Sequence, residues 1–130
     1  MKYIERKDLV YPKLSYQLIG ILFDVYNELG YGYQEKYYQR AVAIRLRGIG
    51  IPFTEQVRVN LKFDKKHLGH YFLDFLIEKK IILELKRGNR FSKKDIEQVY
   101  AYLKATKLQL GIIANFTSSG VTYKRILNLY

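Results

Sequence analysis

Tyr71-Phe-Leu-Asp-Phe-Leu-Ile-Glu-Lys-Lys-Ile-Ile-Leu-Glu-Leu-Lys86 holds two short apolar runs, rich in strand formers, separated by Glu78-Lys-Lys80. Runs of this length and composition, with so short a polar break, predict adjacent antiparallel strands over about 71–77 and 81–86. With Ile77 paired to Ile81 across the three-residue break, Asp74 falls opposite Glu84. Strand alternation places Lys86, two residues beyond Glu84, on the same face. Facing like charges destabilise a sheet, so the pair calls for a compensating positive charge, either Lys86 or a bound metal. A two-residue loop at Lys79-Lys80 would slip the register and set Asp74 against Leu85. Tight loops of that kind want Asn, Asp or Gly at positive φ, where two lysines are strained, so the longer loop is favoured.

The flanking segments supply the rest of the fold. Leu18, Ile21, Leu22, Val25, Tyr26 and Leu29 form one apolar stripe, which predicts a helix from about Leu14 to Leu29, with Pro12 before it and Gly30 as its stop. Gly30-Tyr-Gly-Tyr33 breaks the chain before a second helix, about Gln34 to Arg47, whose exit is marked by Gly48 and Gly50. Val57, Val59, Leu61 and Phe63 then alternate with polar residues, the pattern of a strand with one covered face, and Asp64-Lys-Lys-His-Leu-Gly69 reads as the following turn. Arg87-Gly-Asn-Arg90 opens a loop, and Ser92 with Asp95 resembles a capping box that starts a third helix running through about Lys104. Leu108 to Asn115 reads as a buried strand.

A strand, helix, strand succession in one sheet normally makes a right-handed parallel crossover. The last strand therefore belongs beside Ile81–Lys86, and the sheet is mixed. The fold class is α/β with an α+β-like mixed sheet, in the order α-α-β-β-β-α-β, and Val121 to Tyr130 is a candidate C-terminal edge strand. No repeat, linker or low-complexity stretch divides the chain, so residues 1–130 read as a single domain.

A chain of 130 residues buries roughly two-thirds of its unfolded surface, enough for a core without staples. Absence of cysteine excludes a disulfide framework and thiolate metal sites. The apolar run Leu18 to Phe23 is closed by Asp24 and is far too short to span a bilayer. No signal peptide is visible, and a soluble, cytoplasmic protein with no membrane partner is expected. The net charge of +11 comes from 23 Lys and Arg against 12 acids, and with Asp74 and Glu84 set aside for the proposed site the rest of the surface is strongly basic. Such a balance favours polyanions, nucleic acid first. The bland alternative is a domain that happens to be basic, because the charges are spread along the chain.

The order of helix, three antiparallel strands, helix and strand, with Asp on the second strand and Glu-x-Lys on the third, resembles the PD-(D/E)XK nuclease superfamily. Within it, Gly32-Tyr-Gln-Glu35-Lys-Tyr-Tyr38 is similar to the signature of the GxxExxY protein family. The likeness continues through Ala41, Leu46, the Asp74 strand, Glu84-Leu-Lys86, Gln98, Tyr102 and Ile113-Ala-Asn-Phe116, which is nearly the whole chain. It implies a restriction-endonuclease-like core and a nuclease activity.

Hydrolysis of a phosphodiester adds negative charge to a centre that already repels hydroxide, so a divalent cation is needed on the phosphate oxygen. Hard oxygen ligands suit Mg²⁺ or Mn²⁺. Asp74 and Glu84 are the expected ligands, joined by the carbonyl of Leu85. Lys86 is expected to orient or deprotonate the attacking water, or to stabilise transition-state charge. Glu35 in the first turn of the second helix is explained equally by the helix dipole; the resemblance assigns it to the site as a ligand, direct or through water. Tyr38, one turn later, reads as a supporting residue or as core packing with a satisfied hydroxyl. Gln98 and Tyr102 share a helix face, and in relatives such a pair lines the cleft near the catalytic lysine; a polar shoulder beside a core tyrosine accounts for them as well.

Arg87, Arg90, Lys93 and Lys94 follow the catalytic strand and form the best candidate for gripping phosphate. His67 and His70 match no strong ligand spacing and read as surface residues. No base-reading module is visible, so binding by backbone and shape is expected, with DNA as substrate. Against the nuclease stand a non-catalytic nucleic-acid-binding module and a protein-interaction domain on the same fold. Many nucleases of this fold act as homodimers, but no self-complementary surface can be read from the chain.

Overall fold

The computed structural model describes residues 10–129. Two helices, α1 (Pro12–Leu29) and α2 (Glu35–Ile49), precede three strands, β1 (Phe53–Phe63), β2 (Lys66–Ile77) and β3 (Ile81–Arg87). Helix α3 (Lys93–Thr106) and strands β4 (Leu110–Thr117) and β5 (Gly120–Leu127) complete the chain. The sheet runs in the order β1-β2-β3-β4-β5. Only the β3/β4 pairing is parallel, as the crossover through α3 requires, and the sheet is mixed. β5 is the expected edge strand; Tyr130, the last residue of the predicted segment, lies outside the described residues.

Local chemistry explains the element ends. Pro12 sits in the first turn of α1, where its missing N–H costs nothing. Ser92 Oγ accepts from the Asp95 N–H at 2.9 Å, the cap expected for α3. One expectation is overturned: the segment from Asp64 to Gly69 is not a loop. Asp64 and Lys65 both take positive φ (51° and 64°) and form a tight turn, so that β2 already begins at Lys66. Phe63, predicted on the covered face, is 71% exposed, because the core under α3 reaches Val57 and Val59 but not the hairpin tip.

Helices cover both faces of the sheet. On one side Leu18, Leu22, Val42 and Leu46 of α1 and α2 pack on Phe75, Ile77, Leu83, Leu85 and Phe116. On the other side Val99, Tyr102 and Leu103 of α3 pack on Val59, Leu73, Ile82 and Ile113. Gly111 permits the close approach of α3, because a Cβ there would lie 2.6 Å from Val99 Cγ1.

Candidate active site

β2 and β3 pair through Ile77–Ile81, Leu76–Ile82 and Phe75–Leu83, the register expected from the three-residue loop. The ladder ends one residue short of Asp74. There the side chains replace the missing backbone bonds: the Asp74 N–H donates to Glu84 Oε1 at 2.8 Å, and the Leu85 N–H donates to Asp74 Oδ2 at 2.8 Å. Asp74 Oδ1 also accepts from Gln39 Nε2 of α2 at 3.2 Å.

The cause of this opening lies in the neighbouring hairpin. The β1/β2 pairing passes from Glu55–Phe75 to Val57–Leu73 and skips Gln56 and Asp74, with Gln56 at φ 48°. Phe75 and Ile77 belong to the core under α1 and α2, whereas Leu73 belongs to the core under α3. Simple alternation along β2 therefore fails at Asp74, and the irregularity re-aims its carboxylate, a frequent use of such defects beside functional sites.

Burial and like charge then act on the pair. Glu84 is only 5% exposed. Its carboxyl is pushed up to about 8, first by burial and then by the Asp74 charge. Asp74 is raised as well, mainly by burial and further by Glu35, while the Leu85 N–H and Lys86 hold it down. The two carboxyls also act on each other, which raises Glu84 further. Two acids raised in this way hold protons more tightly than free carboxyls do, and a cation would displace them. Hard oxygen donors and partial burial fit a divalent cation held by one or two carboxylates.

Lys86 acts electrostatically on both carboxylates and lowers each. Tyr102 is also drawn into the site: its hydroxyl is raised by burial and then by the charges of Glu84, Tyr71 and Asp74. Tyr71, unforeseen from sequence, packs edge-on against Tyr102 with ring centroids 4.6 Å apart. Gln98 lies half-buried on the same helix.

The expected convergence of three acids is not met. Glu35 is within electrostatic range of Asp74, yet among the described residues no group of three His, Cys, Asp or Glu side chains is close enough to hold a metal. Tyr38 lies in the core with its hydroxyl satisfied. It is fully buried, stacks on Phe116 with centroids 4.1 Å apart, and donates its hydroxyl to the Gly30 carbonyl at 2.6 Å. Its large ring fills the space under the sheet and ties down the turn before α2.

Of the basic residues, Arg87 lies at the exposed end of β3 with its guanidinium 5.5 Å from the Tyr31 ring centroid. Arg90, Lys93 and Lys94 are exposed along the approach to α3. That approach is held by Asn115, a residue of β4 paired with Lys86. Its Nδ2 donates to the carbonyls of Arg90 (2.8 Å) and Gly88 (3.4 Å), and its buried Oδ1 has no protein partner. Asn115 occurs in the Ile113-Ala-Asn-Phe116 motif, but nothing in that motif foretold its contacts.

The sequence profile of the PD-(D/E)XK nuclease superfamily matches residues 12–126. The chain belongs to this superfamily. Among solved structures, that of SSO0001 is similar, with a TM-score of 0.56 and 18% identity over 92% of this chain. An alkaline exonuclease (LHK-Exo) from Laribacter hongkongensis is also similar, with a TM-score of 0.52 and 14% identity over 72% of this chain. The matches cover 60% and 55% of those chains, respectively. No curated protein matches. The narrower likeness to the GxxExxY family rests on the sequence motifs.

Proposed function

We propose that this superfamily member is a metal-dependent nuclease that hydrolyses DNA phosphodiester bonds, with Mg²⁺ or Mn²⁺ as cofactor. The observation that carries this reading is the buried Asp74–Glu84 pair, held open by backbone N–H groups and flanked by Lys86. These two acids take the place of ladder bonds and have raised pKa values from burial, the kind of perturbed pair that clusters at functional sites. Asp74 and Glu84 would hold the cation, with the Leu85 carbonyl as a further oxygen donor and Glu35 reaching it through water. Bound there, the cation supplies polarisation of a phosphate oxygen and acidification of a water molecule.

The chain itself contributes alignment and charge. Asp74 is fixed by Gln39 and by the Leu85 N–H, so its carboxylate is oriented before substrate arrives. Lys86 Nζ, on the face of Glu84, holds the attacking water in line or donates to the phosphate as charge builds. Tyr102 and Gln98 close the α3 side of the cleft. Arg87, Arg90, Lys93 and Lys94 grip flanking phosphates through backbone contacts that carry no sequence preference. The presence of an exonuclease among the structural neighbours agrees with a nucleic-acid substrate.

Glu35, standing outside the pair, favours as a second reading a module that binds nucleic acid without cutting it. Incubation with plasmid, linear and single-stranded DNA in Mg²⁺ or Mn²⁺ separates the two. Cleavage that disappears in Asp74→Ala and Lys86→Ala, with circular dichroism unchanged, supports the nuclease. Salt-sensitive retention of DNA that is never cut supports the module. Calorimetric titration of Mn²⁺ into wild type and Glu84→Ala tests the cofactor directly.

A further inference from the structure

The hairpin that carries Asp74 continues well beyond the sheet. β2 pairs with β3 only over Phe75–Ile77, whereas β1 and β2 stay paired as far as Phe63 and Lys66. From Leu73 to its tip this two-stranded ribbon is roughly 20 Å long at the usual strand rise. Its inner face, with Val57, Val59, Tyr71 and Leu73, packs in the core under α3.

The outer face has no such cover. Arg58 is paired across the strands with Phe72, and Asn60 with His70. Phe72 is 51% exposed and its ring meets His70 edge-on at 5.3 Å. His70 in turn lies 6.3 Å from His67, with ring planes 24° apart, so three rings follow one another along the face. Arg58 and Lys62 stand on this face, paired with Phe72 and His67, Lys65 lies in the turn at its tip, and Asp64 is the one acid between residues 58 and 72.

Lysines on an exposed edge strand often serve only to prevent edge-to-edge pairing. That role accounts for the cations but leaves Phe72 and the unpaired β2 residue Leu68, 67% exposed, without a reason. Rings interleaved with cations are the pattern of a surface that stacks bases and neutralises phosphates. Groove reading fits less well. Arg58 and Asn60, the side chains suited to base edges, are bonded to each other at 3.0 Å.

We infer that the outer face of the β1–β2 ribbon is a platform for single-stranded nucleic acid, with unpaired bases on Phe72 and His70 and phosphates against Arg58 and Lys62. Phe72 is two residues from Asp74, so a strand lying on the ribbon runs directly to the carboxylate pair. Only this last step rests on the nuclease reading; binding by the ribbon stands on its own geometry.

Fluorescence anisotropy in EDTA, with a labelled oligo(dT) and a blunt duplex of equal length, tests binding without cleavage. Tighter binding of the single strand is expected, with a loss of roughly tenfold in Phe72→Ala or His70→Ala and little change in duplex affinity. Phe72→Tyr, which keeps the ring, should retain the affinity, and Lys62→Glu should weaken binding and reduce its salt dependence. Circular dichroism checks folding of each variant. Equal or tighter duplex binding overturns the inference, as does unchanged oligo(dT) affinity in the Phe72→Ala/His70→Ala double variant. A loss confined to Arg87→Ala or Arg90→Ala also overturns it and leaves the nuclease reading intact. Ribbon-dependent binding by a protein that cuts no DNA in Mn²⁺ supports the inference and removes the nuclease.

Discussion

Burial of the Asp74–Glu84 pair raises both carboxyls and makes the stability of the metal-free protein fall as pH rises. Folded Glu84 gives up its proton at about 8, whereas its ordinary value is 4.5, so between these limits the folded state holds a proton that the unfolded chain has lost. The stabilisation is complete below pH 4.5 and is lost as pH climbs through about 8. Its size follows from about 1.36 kcal/mol per unit, on the order of 5 kcal/mol across the window. The raised Asp74 acts in the same direction. Glu84→Gln removes the titration and keeps the shape: its Oε1 still accepts from the Asp74 N–H, and its amide can donate to the Asp74 carboxylate. Urea unfolding in EDTA at pH 5, 7 and 9 is the assay. Wild type should lose several kcal/mol between pH 5 and 9, at up to about 1.4 kcal/mol per pH unit. The variant should lose much less and be the more stable protein at pH 9. A wild type whose stability is flat or rises from pH 5 to 8, or a Gln variant weaker than wild type at pH 9, would refute the account of a buried acid pair.

Mn²⁺ binding should release a proton at pH 7, measured as a dependence of calorimetric enthalpy on the ionisation enthalpy of the buffer, because ligand carboxylates must be deprotonated. Gly111→Ala places a methyl 2.6 Å from Val99 Cγ1, and the stiff β-branched side chain leaves α3 to shift; thermal unfolding should show a loss of about 1–3 kcal/mol. Tyr38→Phe removes the hydroxyl bonded to Gly30 and should cost about 1 kcal/mol by urea unfolding, with Mn²⁺ affinity unchanged. Asn115→Ala strands the Gly88 and Arg90 carbonyls, so increased proteolysis within residues 87–92 and a loss of about 1–3 kcal/mol are expected.

Much of the fold was legible because its signals are local. Loop length and period-two alternation set the Ile77–Ile81 register, Ser92 and Asp95 set the start of α3, and the intervening helix made β4 run parallel to β3. The misread parts depended on the backbone of one turn and on where the core ends. Asp64 and Lys65 accept positive φ, which shortens a six-residue loop to a tight turn, and Phe63 lies past the core under α3, which reaches only Val57 and Val59 of β1. Residue type alone reports neither, since the turn carries no glycine and alternation does not say how far a helix covers a strand.

The sequence by itself determined which residues are available for chemistry: an Asp and a Glu on neighbouring strands, a Lys two positions on, and basic residues directly after. Strand periodicity and loop length act over a few residues and are written into the chain. The tertiary structure alone decided how those groups meet. It opened the ladder at Asp74, brought Gln39 across from α2, buried Tyr38 and left Glu35 apart from the pair. These outcomes are set by packing between elements far apart in the chain, where burial and like charge act through space and no repeat of residues along the sequence records them.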